Sequence, residues 1–446
     1  MHMGGVLIFE QPAGGLGYER LVKLISDRIA LVPRYRQKVR WIPGRLANPI
    51  WVDDQDFDIT YHVRRSALPK PGSDAQLHEL VVRLQGRQLD RSRPLWELYL
   101  VEGLADNRVA LVTKTHQAMV DGIAVVDLGT VLFDVTPTPR DVEHDAWLPA
   151  GRATSMGLVT DAVFEAVRRP SQVLDTARSA FTDAQSTALR ATSLAGTVVT
   201  RVRTVVRPMT LLQFPVQLKV RSGAHRRVEV ARTQLADYQR VRDAHGGTVN
   251  DVVLAVVAGA LRGWLLAGEE TVPPAAVLRA LVPVSVRTQE HRGELGNRVT
   301  PYFMDLPIGE ADPVARLRAV SRAMGDHHRN GAAVDAQSLV QLAGFAPPTI
   351  ALLGARAAFS TANRRFKLVV TNVPGPQFAL YAAGARLLEM YPVVPLAKGQ
   401  AVSIGLTSYN GKVVYGLNAD RDAMPDLQVL ARCIELSMAE LAETVL

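Results

Sequence analysis

The chain has 446 residues and a formal net charge of +8; it is 48% hydrophobic and 21% charged, which excludes extensive disorder and predicts two domains. Its single cysteine, Cys433, excludes an internal disulfide framework and a cysteine-rich zinc site, and it suits a reducing cytoplasm. No secretory signal is visible and no apolar run is long enough to span a bilayer, so we expect a soluble or membrane-peripheral protein.

Residues 1–135 combine strand and helix patterns, which predict an α/β domain. The predicted strands are Val6–Glu10, Trp96–Leu104 and Arg108–His116. The predicted helices are Tyr18–Ile29, Gln76–Gln88 with Asp74 as its N-cap, and Ala124–Phe133.

Residues 136–225 are predicted to form a long, basic linker that contains helices. A polar, proline-containing segment from Thr136 to Asp145 ends the first domain. Between Ala184 and Val228 the chain has eight Lys or Arg residues and no acidic residue. Such a run is typical of a solvated helix face, and equally of contact with an anionic membrane or a phosphorylated cofactor. Nucleic acid is not expected as a partner, because no zinc-finger, RNP or helix-turn-helix pattern accompanies the charge.

Residues 226–446 repeat the α/β rhythm and predict a second domain. The predicted strands begin near Arg227 and continue with Ala276–Arg287, Val299–Ile308, Lys367–Pro376, Ala401–Tyr409 and Lys412–Asp420, the last two joined by an Asn410–Gly411 turn. The predicted helices are Leu235–Ala244 and the strongly apolar Asn250–Gly268.

The segment KTHQAMVDGIA, residues 114–124, carries the main candidate for chemistry. His116 ends a predicted strand, and Asp121 and Gly122 follow in a turn that begins a helix. A neutral imidazole in that place can accept a proton from a hydroxyl or a thiol, and the glycine permits a close backbone approach. On spacing alone, a lone histidine at a strand end is more often structural. The sequence has no GxSxG elbow, Walker loop or HExxH motif.

Seven segments together resemble one family. In chain order they are PLWELYLVEGL, KTHQAMVDGIA, GTVNDVVLA, VPVSVR, LGNRVTP, TNVPGP and GLTSYNGKVVYGLNAD. They resemble the bacterial wax ester synthase/acyl-CoA:diacylglycerol acyltransferase family, whose hallmark is HHxxxDG. The opening MHMGG is similar to the family's PMHxG segment, which there normally follows a short N-terminal piece. The resemblance covers nearly the whole chain.

This resemblance implies two chloramphenicol-acetyltransferase-like α/β domains joined by a long helical crossover, with the active site in a tunnel between them. It implies direct transfer of a long-chain acyl group from acyl-CoA, as co-substrate, to diacylglycerol or a long-chain alcohol, with no metal and no other cofactor. A natural-product or glycolipid hydroxyl is a further acceptor class. The implied location is cytoplasmic, at the inner face of a membrane or at lipid droplets, which the basic linker would contact.

The chain departs from the family at one position of the hallmark. His116 matches the first histidine, whereas Gln117 replaces the second, which the family uses as general base; an amide has no basic pKa near neutrality. Three hypotheses follow for the catalytic set His116, Gln117 and Asp121. His116 serves as the base through a locally shifted backbone, or Gln117 orients the reactants and catalysis persists without a base, or the chain is a degenerate acyl-CoA- or lipid-binding paralogue.

The resemblance also implies substrate-binding or motif-support roles for a further set of residues: Gly122, Asn250, Asp251, Arg287, Asn297, Arg298, Asn372 and Gly375. A helix cap is an equal alternative for Asn250 and Asp251. The two arginines suit an acidic partner or CoA phosphates, although structural ion pairs are commoner. Asn372 and Gly375 are expected in a proline-rigid turn that faces the tunnel.

Overall fold

A computed structural model describes most of both predicted domains. The described residues are 2–12, 15–41, 49–119, 129, 131–142, 223, 225–285, 299–330, 368–396 and 399–445. Residues 143–222 and 224 of the predicted linker, and most of the helix predicted for Ala124–Phe133, lie outside these ranges.

The described elements follow the α/β rhythm of the sequence. The strands are β1 (His2–Glu10), β2 (Gln37–Arg40), β3 (Ile50–Asp53), β4 (Val63–Ala67), β5 (Trp96–Leu104), β6 (Arg108–His116), β7 (Arg226–Gln234), β8 (Leu278–Ser285), β9 (Val299–Leu306), β10 (Leu368–Pro374), β11 (Tyr381–Ala382), β12 (Ala385–Val393), β13 (Val402–Tyr409) and β14 (Lys412–Asp420). The helices are α1 (Tyr18–Arg28), α2 (Ile59–His62), α3 (Asp74–Gly86), α4 (Leu235–His245), α5 (Val249–Ala267), α6 (Pro313–Asn330) and α7 (Leu427–Glu443).

The first sheet has the strand order β11-β12-β1-β6-β5-β4 and is antiparallel except between β4 and β5. In the β1–β6 register, His2 lies opposite His116 and Gly4 lies opposite Lys114. Cross-strand partners point to the same face of a sheet, so both histidines lie on one face. Helix α3 packs on that face against apolar residues of β1, β5 and β6.

The strand β12 departs from the predicted division of the chain at residue 226. It pairs with β1, for example Val6 with Tyr391, so a segment of the second predicted domain forms part of the first sheet. The carbonyl of Val394, just after β12, accepts hydrogen bonds from Ser403 at 2.7 Å and from Asn418 at 2.8 Å, both in the second sheet. Residues 226–446 therefore do not form a self-contained domain, and this strand ties the two sheets together.

The second sheet has the order β7-β14-β13-β10-β8-β9, with β10 parallel to its neighbours β8 and β13. The predicted hairpin between β13 and β14 is confirmed. Asn410 and Gly411 have φ values of 45° and 83°, as a type I′ turn requires.

Packing at the start of β5 places Trp96 in the core. The side chain is 2% exposed and stacks on the His62 ring, with ring centroids 4.7 Å apart. Its indole N–H donates to the Tyr35 carbonyl at 2.8 Å. The PLWE segment thus fixes the start of β5 within the core.

Two capping boxes define helix starts. The prediction of Asp74 as the cap of α3 is wrong: Ser73 is the N-cap, and its side chain and that of Gln76 exchange hydrogen bonds with each other's backbone N–H. Helix α5 begins in the same way, with Thr248 as N-cap and Asp251 as its partner. Both boxes satisfy backbone donors that a helix start otherwise leaves unpaired.

The expectation that no apolar run is long enough to span a bilayer is wrong for helix α5, which is long and apolar enough by length and composition, yet 67% of that window is buried inside the protein. It packs with α7 and with the apolar faces of β8, β10 and β13 in the core of the second sheet. Apolar character on all sides is what a central core helix requires.

Candidate active site

The candidate site lies where β1 begins and β6 ends. β6 extends through His116, and a 3-10 turn at Gln117–Met119 follows immediately. The His116 backbone N–H donates to the Leu95 carbonyl at 2.9 Å, which holds the end of the strand against β5. The imidazole is partly exposed, so a substrate can reach it, and the Gln117 side chain is exposed.

The ring of His116 is fixed in one protonation pattern by its own turn. The Ala118 backbone N–H donates to Nδ1 of His116 at 3.1 Å, so Nδ1 carries the lone pair. In the neutral ring the proton must then reside on Nε2, which becomes a hydrogen-bond donor. This geometry speaks against the hypothesis that His116 is the general base, because its only lone pair is already engaged.

His2 has the opposite pattern. Its Nδ1 lies 3.3 Å from the carbonyl oxygen of Gln85 at the end of α3. A carbonyl only accepts, so Nδ1 donates and the neutral ring keeps its lone pair on Nε2. A backbone carbonyl on Nδ1 is a common device for orienting a histidine that works through Nε2.

The two rings face each other as a T-shaped pair with centroids 6.1 Å apart. Burial lowers the pKa of His2 below the ordinary 6.5; the hydrogen bond to Gln85 opposes this shift and the charge of Lys114 adds to it. Burial also lowers the pKa of His116, and nearby positive charge, including that of Arg91, lowers it further. Both rings are therefore neutral at pH 7, and among the described residues neither the acceptor Nε2 of His2 nor the donor Nε2 of His116 has a hydrogen-bond partner.

Gly4 in β1 leaves room for the side chain of Gln85, a residue of helix α3. A Cβ at Gly4 would lie 2.2 Å from the Gln85 amide nitrogen, so a larger residue at this position would push Gln85 away. The same amide donates to the Thr113 carbonyl at 2.9 Å. The glycine of MHMGG thus leaves room for the Gln85 side chain.

A buried charged group supports the strand below the histidines. Lys114 is fully buried, and its Nζ lies 3.4 Å from the Glu97 carboxylate. Glu97 also accepts a hydrogen bond from the Tyr99 hydroxyl at 2.8 Å and lies 3.5 Å from Arg64. Burial lowers the pKa of Lys114, whereas Glu97 raises it. This ion pair joins β5 to β6 two residues before His116.

Five of the residues singled out in the sequence lie outside the described part of the chain: Asp121, Gly122, Arg287, Asn297 and Arg298. Their site roles stay predictions.

Two motif residues meet in the second sheet. The Asn372 side-chain amide donates to the Asn250 side-chain oxygen at 3.4 Å, which links β10 to the first turn of α5. The expectation that Asn372 lies in a turn is wrong, because it lies within β10 and only Gly375 follows the strand. The Gly375 N–H donates to the Ser408 carbonyl at 2.9 Å, and a Cβ at Gly375 would lie 2.4 Å from that oxygen. Gly375 thus allows two backbones to approach.

Asp251 has the capping role that was one of its two predicted alternatives. Its carboxylate accepts from the Thr248 N–H at 2.9 Å and from the Ser321 hydroxyl at 3.3 Å. The side chain is buried, at 4% exposure. Both contacts are made by Oδ2, whereas the buried Oδ1 has no hydrogen-bond partner among the described residues.

Sequence reasoning missed His2 and Lys114 as parts of the site. MHMGG was compared with PMHxG as a segment, but its histidine was given no role. The pairing of β1 with β6 brings residues 2 and 116 together. Local sequence patterns do not reveal a pairing between segments so far apart in the chain.

The comparisons with known proteins agree on one family. The wax ester synthase/diacylglycerol acyltransferase catalytic domain matches residues 1–253, and the WS/DGAT C-terminal domain matches residues 295–442. The probable diacylglycerol O-acyltransferase tgs2 of Mycobacterium tuberculosis is 34% identical over 100% of this chain and 95% of its own length. For tgs1 of the same species, the values are 32%, 98% and 90%.

Solved structures give the same result for the fold. The wax ester synthase/diacylglycerol acyltransferase from Marinobacter aquaeolei VT8 superposes with a TM-score of 0.67 at 26% identity, over 100% of this chain and 95% of that one. The first condensation domain of the calcium-dependent antibiotic synthetase has a TM-score of 0.58 at 15% identity, over 100% and 91%. The predicted fold of two acyltransferase-like α/β units is confirmed. The chain belongs to the wax ester synthase/diacylglycerol acyltransferase family.

Proposed function

We propose that the chain is an O-acyltransferase that moves a long-chain acyl group from acyl-CoA to the free hydroxyl of diacylglycerol. Family membership supports acyl transfer, and relatives over the full length bear the name diacylglycerol O-acyltransferase. The observation that carries the proposal is the pair His2 and His116. It presents one free lone pair and one free N–H at the position of the family's hallmark motif.

In the proposed reaction, His2 Nε2 takes the proton from the acceptor hydroxyl as its oxygen attacks the thioester carbonyl carbon. The C–S bond then breaks, and the protonated His2 returns the proton to the departing CoA sulfur. The products are the new ester and CoA, so atoms and charges balance. The route requires neither a metal nor a covalent acyl-enzyme, and the lowered pKa of His2 keeps it ready to accept a proton at pH 7.

His116 has the complementary part in this route. Its Nε2–H donates to the carbonyl oxygen as negative charge develops there, while the Ala118 N–H holds the ring in the required tautomer. Gln117 then need not act as a base. Its exposed amide is available to orient the acceptor. This is the orienting role that the second hypothesis gives to Gln117.

The function is tested by CoA release from palmitoyl-CoA with diacylglycerol, with hexadecanol or with no acceptor. We expect release that depends on diacylglycerol and an equal amount of triacylglycerol. Release that favours hexadecanol would assign wax ester synthesis instead. Release without acceptor would indicate thioester hydrolysis and contradict the proposal.

Gln117 specifically favours one rival function, a non-catalytic acyl-CoA-binding paralogue. The rival predicts saturable binding of palmitoyl-CoA with no turnover on any acceptor. It also predicts that Gln117→His creates turnover where the wild type has none. Our proposal expects the wild type to turn over and Gln117→His to change its rate only modestly.

We also propose that the protein acts at an anionic membrane or lipid-droplet surface, where diacylglycerol is dissolved. The support is the run from Ala184 to Val228, which has eight cationic residues and no acidic one. Binding to vesicles should rise with the fraction of phosphatidylglycerol and fall with added salt. Binding that is indifferent to both would contradict this surface role.

A further inference from the structure

A second group of charges surrounds a cavity at the edge of the first sheet. The cavity has a volume of about 310 Å³ and lies between the edge strand β4 and helix α3. Its lining contains four arginines, one hydroxyl and an aromatic floor: Arg64, Arg65, Arg83, Arg87, Ser66 and Tyr99. No Asp or Glu lines it. We call it the arginine pocket.

The arginines are only partly neutralised. Arg65 pairs with Glu102, and Arg64 lies 3.5 Å from Glu97. Glu97 is already shared with buried Lys114 and with the Tyr99 hydroxyl. Arg83 and Arg87 have no carboxylate partner among the residues that the structure describes.

Helix chemistry explains part of this arrangement. Arg83 lies in the last turn of α3, and Arg87 is its C-cap, where cations interact favourably with the helix dipole. That effect does not account for Arg64 and Ser66, which lie on the α3 face of a different element, the strand β4. Strand β4 and helix α3 therefore bring positive charges close together, and a bound anion would reduce the repulsion between them.

The surrounding groups do not supply that anion. Burial raises the pKa of Tyr99 to about 12, so its hydroxyl remains neutral. Burial lowers the pKa of Lys114, and the charges of Arg64 and Arg87 lower it further, against the pull of Glu97. The positive charge of the pocket therefore acts on the ion pair between Lys114 and Glu97, two residues before His116.

We infer that the arginine pocket binds a phosphoryl group. Guanidinium groups present paired N–H donors that match phosphate oxygens, and the cavity volume lies near the lower end of small-molecule sites, roughly 300–1,000 Å³. A phosphate of CoA and the headgroup of an anionic phospholipid both have this chemistry. The site does not depend on the acyl acceptor, so it can fail or hold independently of the proposed function.

The test is calorimetric binding of three probes: inorganic phosphate, CoA and soluble dihexanoyl phosphatidic acid. The proteins are the wild type, Arg83→Gln/Arg87→Gln and the control Arg240→Gln/Arg421→Gln. The control removes the same charge from exposed arginines that already pair with Asp237 and Asp422. All substituted side chains are exposed, and thermal melting checks that each protein is folded.

We expect the pocket variant to bind phosphate at least about tenfold more weakly than the wild type, as the loss of charge-assisted hydrogen bonds implies, while the control binds like the wild type. A matching loss for CoA identifies the co-substrate as the source, and a matching loss for phosphatidic acid identifies the headgroup. Wild type that binds no phosphate, or a pocket variant that binds like the control, would overturn the inference.

Discussion

The two regions that carry motif residues differ in whether their side chains keep an unused, accessible hydrogen-bond donor or acceptor. At the first sheet, His2 and His116 are partly exposed, and each has one ring nitrogen without a hydrogen-bond partner in the part of the chain that the structure describes. At the second sheet, Asp251 is buried in a capping box, and Gly375 serves a close backbone approach. Both regions lie in segments that match the same family.

A motif match alone therefore does not distinguish a catalytic residue from a structural one. What separates them is whether a donor or acceptor remains unused and accessible after the local structure is satisfied. By that criterion we propose that the first sheet carries the catalytic residues, whereas Asp251 supports the start of helix α5 in the second core. The predictions below challenge this contrast, beginning with the largest effect.

Removal of the proposed base should have the largest effect. We expect His2→Gln to lower kcat/KM for diacylglycerol by about 10²–10⁴-fold, the usual contribution of general-base catalysis. Glutamine can still donate to the Gln85 carbonyl, so the melting temperature should hardly change. The control is His225→Gln, an exposed histidine whose side chain makes no hydrogen bond that the structure records. Equal activity in the two variants would remove His2 from the mechanism.

Loss of the capping carboxylate should act on stability instead. Asp251→Ala leaves the Thr248 N–H and the Ser321 hydroxyl without their acceptor, which costs about 1–3 kcal/mol of unfolding free energy. Chemical denaturation measures this loss, and turnover per folded molecule should be unchanged. A large fall in turnover with unchanged stability would show that Asp251 belongs to the reaction and that the contrast between the two regions is wrong.

The pH dependence should report the state of His2. Because burial lowers its pKa below 6.5, the base is unprotonated above that pH, and kcat/KM should be level there. Below the lowered pKa, the rate should fall about tenfold per pH unit. The unfolded chain binds more protons than the folded one in this range, so stability should also decline as pH falls through 6.5. A rate that rises toward acid pH would contradict a neutral-histidine base.

The smallest effect is expected at the contact between the motif asparagines. Asn372→Ala removes a single neutral hydrogen bond of 3.4 Å to Asn250, worth about 0.5–1.5 kcal/mol. We expect a small change in melting temperature and an unchanged KM for palmitoyl-CoA. A KM that rises tenfold or more would place this asparagine pair in the substrate path.

Local patterns were sufficient for most of the fold. The strands Trp96–Leu104, Arg108–His116 and Lys412–Asp420 have the bounds that their apolar patterns predict, because a short, nearly continuous apolar run is a local signal of a buried strand. The strand Ala385–Val393 was missed, although its burial alternates along its length. Its partner is the chain start almost four hundred residues earlier, and no local signal reveals such a pairing.

The site was only partly predictable for the same reason. His116 was identified from its place after a strand, but its protonation pattern depends on the Ala118 N–H in a turn that the sequence did not specify. The placement of His2 beside His116 depends on the register between β1 and β6, and Gly4 leaves room there for the Gln85 side chain. The Ser73 cap, by contrast, was available in the S-x-x-Q pattern at Gln76 and was overlooked.

The most direct test of the account is chemical rescue of His2→Ala by added imidazole, measured as triacylglycerol formation from palmitoyl-CoA and diacylglycerol. His116→Ala is the matched comparison, since its loss removes a donor rather than the base. The account predicts that imidazole restores turnover to His2→Ala in a saturable manner, with an acid limb that moves to the pKa of free imidazole, and restores little to His116→Ala. Rescue of His116→Ala alone would make His116 the base and contradict the assignment of His2.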